Sequence, residues 1–154
     1  MINIHTAPYA ALVLRVSLGA MFLAHSVWLK LFVFTLPGTA QFFGSIGLPP
    51  VLAYVVFALE ALGGVALILG VATRGVALAL IPVLLGATWT HAGNGWLFTN
   101  PNGGWEYPLF LTLATAVQAL LGDGAWALRP KRAGAEPHAQ AAGESISRAH
   151  VARA

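Results

Sequence analysis

Four long apolar stretches occupy the chain up to about residue 128, and most of the charged or ionisable groups in that region sit inside or at the ends of them. Arg15 and His25 fall in the first stretch, with Lys30 near its end. Glu60 lies deep in the second, His91 near the end of the third, and Glu106 at the start of the fourth. An ionisable side chain in hydrocarbon costs at least about 2.5–3.5 kcal/mol on insertion scales, so each such residue needs a reason to be there. Only 8% of the 154 residues are charged and 58% are hydrophobic. A soluble domain normally carries about 25% charged residues, so this chain has too few to cover a wet surface.

A membrane-crossing helix needs about 20 mostly apolar residues. Tyr9 to about Phe34 supplies one, Val51 to Val71 a second and Gly75 to about Ala92 a third, with Pro82 expected to kink it. Glu106 to Leu121 is a shorter fourth, with Pro108 near its first turn and Gly122–Asp123–Gly124 ending it. Between the first two lies TLPGTAQFFGSIGLPP, irregular from its Gly and Pro content but able to hold a short interfacial helix over AQFFGSI. The expected fold is all-α: a four-helix transmembrane bundle over residues 1–128. A flexible, polar, basic cytoplasmic tail over residues 129–154 follows it, because that segment is rich in Ala and Gly and lacks core residues.

Charge placement orients the bundle. Five of the eight Lys and Arg residues lie beyond residue 128, and Arg74 lies in the turn between the second and third stretches. Positive residues favour the cytoplasmic side, which puts both termini inside, with Lys30 dissenting near the outer edge. The N-terminal residues before Arg15 contain no Lys or Arg, a poor match to a signal peptide, so the first stretch is expected to remain as an anchor. The absence of cysteine excludes disulfides, thiolate metal sites and thiol redox chemistry. No basic–aromatic stripe points to nucleic acid.

Depth bookkeeping sorts the polar groups. With Lys30 at the outer edge, His25 lies roughly 7 Å below it and Arg15 roughly 22 Å below it, while Glu60 is roughly 15 Å into its own helix. Arg15 and Glu60 are therefore expected to form a buried ion pair, whose bland reading is a clamp on helix register. His25, His91, Glu106 and Lys30 gather near the outer face beside an aromatic loop. Histidine exchanges protons near neutral pH, and Trp89, Trp96, Trp105 and Tyr107 could wall a flat ligand, so a quinone is one candidate occupant. Two histidines on separate helices could also ligate iron, but no His-x3-His spacing supports haem or another metal. Capped polar residues at the end of an inert bundle account for the same residues, and an interfacial belt accounts for the aromatics.

The run Arg15–x3–Gly19–x2–Phe22–x2–His25, followed by Lys30 and FTLPGTAQFF, resembles the DoxX family. So do Glu60–x2–Gly63–Gly64, Gly70 before Thr73–Arg74, His91–x2–Asn94–Gly95, and GGWEYPL at Gly103–Leu109. The resemblance spans about residues 10–125, with Ser26 where a glycine often follows the histidine and the lysine slightly later than usual. It implies a small four-helix protein of the bacterial inner membrane in a redox or quinone-linked setting, since relatives include subunits of quinol oxidase and thiosulfate:quinone oxidoreductase complexes. It does not imply that this chain itself catalyses a reaction; the candidate ligand or proton-site residues are His25, Lys30, His91, Asn94, Glu106, Trp105 and Tyr107. Three functions remain open. One is a quinone-linked oxidoreductase subunit drawing electrons from a membrane or soluble partner protein. A second is a non-catalytic accessory or assembly subunit. The third is a small transporter or channel, which with four spans would need a homo-oligomer.

Overall fold

The computed structural model describes residues 4–128. The polar segment expected over residues 129–154 lies outside them. Among the described residues the structure is entirely helical, with no strand. Helix α1 (Ala7–Leu23) continues without a break into a π-helical segment (Ala24–Val33). The short α2 (Leu36–Ser45) follows, then α3 (Val51–Leu69), α4 (Thr73–His91), a 3-10 turn (Ala92–Asn94) and α5 (Glu106–Leu121). Among the described residues three helices are long and apolar enough to cross a membrane: Ala7–Val33, Val51–Leu69 and Thr73–Asn94. The fourth apolar helix, α5, has 16 residues, about 24 Å at 1.5 Å per residue and short of a ~30 Å hydrocarbon core.

Helix α1 packs on α3, α3 on α4, α4 on α5 and α5 on α1, while α2 lies against α3 and the π segment. One end of this assembly carries the start of α1, the α3–α4 turn and the residues after α5; it is called here the turn end. The other, the loop end, carries α2 and the 95–105 loop. The first contact is set by glycine. A side-chain carbon added at Gly19 would sit 2.7 Å from both the Gly64 carbonyl and Ile68 Cγ1, so only hydrogen lets these backbones meet. Leu18, Phe22, Leu67, Leu80 and Leu84 form the apolar core. Pro82 does not end α4, which runs through it to His91.

Polarity is arranged inside out. Arg15 and Gln118 are fully buried, and so are Ser26, Thr73 and Thr115, whereas Leu120 is 80% exposed and Leu62 72%. Such a surface has no place in water, but hydrocarbon solvates it at no cost, and the interior is where helices can satisfy polar groups. The chain is a membrane protein.

Candidate functional site

The π segment is where the site begins. Its helix bonds reach five residues back, as in Phe34 N–H to the Leu29 carbonyl at 2.7 Å. Where the α register gives way, two side chains bond the carbonyls at the changeover. His25 Nδ1 lies 2.8 Å from the Met21 carbonyl and Ser26 Oγ donates to the Phe22 carbonyl at 2.8 Å. A carbonyl only accepts, so Nδ1 carries the proton and Nε2 is left as an acceptor. Residues five apart on an α-helix lie roughly 140° apart around the axis. The wider π turn brings His25 and Lys30 closer to one side. π segments recur at functional sites.

Lys30 reaches across to α3 and forms a salt bridge with Glu60. The side chains are 18% and 7% exposed, so the pair is held mostly out of lipid. This corrects the expected Arg15–Glu60 pair. Gly19 faces Gly64, so in an antiparallel pair Arg15, four residues earlier, faces the neighbourhood of Ile68. That is about 12 Å along α3 from Glu60. Arg15 instead lies at the turn end: its Nη2 donates to the Ala125 carbonyl at 3.1 Å, and Asp123 is the acidic group that acts on it electrostatically. Its guanidinium lies against Gly70, where a left-handed φ of 72° and the absence of a side chain make room.

The remaining candidates divide. His25 stacks on Tyr107 with ring centroids 5.9 Å apart and planes 24° from parallel. The Tyr107 hydroxyl is buried and has no hydrogen-bond partner among the described residues. His91, Asn94 and Glu106 are engaged by the loop. His91 Nδ1 lies 3.0 Å from the Asn102 carbonyl and 3.1 Å from that of Gly103. Asn94 Nδ2 donates to the same two carbonyls at 3.1 and 2.9 Å. Glu106 Oε1 accepts from Phe98 N–H at 3.0 Å. Trp105 packs edge-on against Trp96 at 4.5 Å and its backbone N–H donates to the Gly95 carbonyl. These four residues tie the 95–105 loop into a fixed roof, leaving His25 and Tyr107 as the pair with uncommitted polar atoms.

Among the described residues no group of three His, Cys, Asp or Glu could hold a metal ion. An apolar groove of about 230 Å³ between α3 and α4, lined by residues including Leu59, Gly63, Ala66 and Leu80, presents no polar side chain to a ligand. Several interior groups escaped the sequence reading. Thr73, Thr115 and Gln118 are fully buried, and each leaves an oxygen without a hydrogen-bond partner among the described residues, as do Arg15 Nε and Nη1. An unsatisfied buried polar atom costs about 1–3 kcal/mol. The three-residue spacing of Thr112, Thr115 and Gln118, one polar edge on an apolar helix, was the available signal.

Inside-out polarity, long apolar helices and a buried ion pair define the described residues as a helical integral membrane protein with an ionisable interior. A sequence model of the DoxX family matches residues 10–93, and the chain belongs to that family. It is 40% identical over 119 residues to a Bacillus subtilis protein named "Putative oxidoreductase CatD", covering 77% of this chain and 84% of that protein. No solved structure matches it significantly.

Proposed function

We propose that this chain is a four-span bundle of the bacterial inner membrane, with both termini cytoplasmic. It would serve a quinone-linked redox system by holding a quinone head group beside His25 and Tyr107. The observation that carries the reading is the stacked His25–Tyr107 pair. One ring leaves Nε2 free to accept, and the other leaves a buried hydroxyl free to donate. A quinone carbonyl needs a donor, and its reduction needs a proton exchanger near neutral pH, which histidine is. The name of the CatD relative and the family membership support a redox setting. Lys30 and Glu60, on the same stretch of π helix and its α3 neighbour, supply a second charged group within the span. No electron carrier is evident in the sequence, so electrons would come from a partner protein.

The test is quinone content. Protein purified in mild detergent should carry extractable quinone and co-elute with a redox partner. Tyr107→Phe should weaken rebinding of a short-chain quinone about tenfold, the value of one hydrogen bond. His25→Ala should weaken it further. If the wild-type protein neither carries nor binds quinone, and both variants assemble normally with the partner, the chain is an accessory subunit and the quinone reading is wrong.

A further inference from the structure

The turn end holds a set of buried polar atoms that the His25–Tyr107 reading does not use. Thr73 opens α4, and Arg74 beside it lies against Gly122. Gln118 Nε2 donates to the Gly122 carbonyl at 2.8 Å, and Thr115 is one turn earlier on α5. Arg15 bonds the Ala125 carbonyl. The side chains of Arg15, Thr73, Thr115 and Gln118 are fully buried, and five of their atoms have no partner among the described residues: Arg15 Nε and Nη1, Thr73 Oγ1, Thr115 Oγ1 and Gln118 Oε1. Leaving five such atoms unsatisfied would cost an amount comparable to the stability of a whole domain.

Arg15 and Gln118 share one cover, since they bond the Ala125 and Gly122 carbonyls. The segment after α5 turns back across the helix ends: Ala125 N–H donates to the Pro8 carbonyl and Leu128 N–H to the Leu69 carbonyl, each at 2.9 Å. Trp126 stacks edge-on against Tyr9 at 6.1 Å. Gly122 and Gly124 take left-handed φ values of 81° and 70°, so the strap bends sharply at both ends of Asp123.

We propose that Arg15, Thr73, Thr115 and Gln118 line a hydrated chamber at the turn end, closed by the 122–128 strap, which binds ordered water. The chemistry selects the ligand. Arg15 Nε and Nη1 can only donate, and Gln118 Oε1 can only accept. An anion would satisfy the arginine but could itself donate nothing to the glutamine oxygen. A cation would satisfy the oxygen and be repelled by the arginine. Water both donates and accepts, and each molecule takes two to four such partners. The chamber therefore admits water, and protons with it, from the turn-end face, remote from the 95–105 loop.

The native chain has no cysteine, so single-cysteine labelling has no background. Thr115→Cys and Thr73→Cys are prepared in the full chain in detergent and exposed to the small neutral reagent methyl methanethiosulfonate, which reacts with hydrated thiolate. Leu80→Cys, in the apolar core, is the dry control. Both threonine positions should react at least tenfold faster than Leu80→Cys, and Trp126→Ala, which loosens the strap, should speed them further. Rates no faster than the control at either position would overturn the chamber, and rates indifferent to Trp126→Ala would overturn the strap as its cover. Protection by chloride or phosphate would overturn water in favour of an anion. Quinone binding does not enter these readouts, so the chamber stands or falls separately from the proposed function.

Discussion

The Lys30–Glu60 pair permits a sharp test. Each side chain is largely buried, at 18% and 7% exposure. Removing one member of a buried pair typically costs 3–5 kcal/mol, because the survivor is left charged without compensation. The residual exposure of Lys30 places this pair at the low end, about 3 kcal/mol, or roughly a hundredfold in the unfolding equilibrium. The two single variants should differ. In Glu60→Gln the long lysine stem can swing its ammonium toward the membrane surface, which softens the loss. In Lys30→Met the short Glu60 side chain has nowhere to go, so that variant should be the less stable. Replacing both, as Lys30→Met with Glu60→Leu, should recover most of the loss, since an apolar pair of similar volume is often neutral or better. Unfolding by SDS in mixed micelles, followed by helix circular dichroism, gives all four corners of the cycle. A coupling energy above about 1.5 kcal/mol is expected. Single-variant costs that simply add up in the double variant, within about 0.5 kcal/mol, would refute the pairing and the helix register it depends on.

Gly19→Leu should destabilise by at least about 1–3 kcal/mol in the same titration, because its side chain must displace the Gly64 backbone. Thr35 has φ 60° and ψ 153°, a region suited to glycine, while its hydroxyl accepts from Gly38 N–H at the start of α2. Glycine caps helices almost as well, so Thr35→Gly should stabilise by up to about 1 kcal/mol in the same SDS titration. His91→Ala and Asn94→Ala release the Asn102 and Gly103 carbonyls, and both should speed limited proteolysis within residues 95–105 while leaving the SDS midpoint within about 0.5 kcal/mol of wild type. Proteolysis unchanged in both would show that the roof is held by other contacts.

Helix positions were legible because apolar run length is a direct reading of what a bilayer requires. Glu106–Leu121 was read from its hydropathy and GDG stop, and α3 began at Val51 as expected. The ion pair is not legible from depth, because the sequence does not mark the membrane edges. Lys30 is not the edge: the first helix runs on to Val33. Gly19 meets Gly64, and that pairing places Arg15 beyond the reach of Glu60. The π segment leaves no mark in the sequence, since a register of five shows only in backbone bonds. His91 and Glu106 fell at the loop end as expected, but their partners are carbonyls and amides of the loop, which no side-chain pattern encodes.

The interior polarity of α5 has a consequence for biogenesis. Its buried edge carries Thr112, Thr115 and Gln118, and at 16 residues it is the shortest of the four apolar helices. Alone beside the translocation machinery it offers little hydrophobic gain to set against those groups. Its most extensive packing is with α4, which directly precedes it and ends in the His91–Asn94 clasp on the intervening loop. Helix α5 would therefore partition into the bilayer as the second arm of a hairpin, with α4 as its first lipid substitute. Lesions in the loop clasp would then surface as failed integration of the C-terminal arm rather than as lost chemistry.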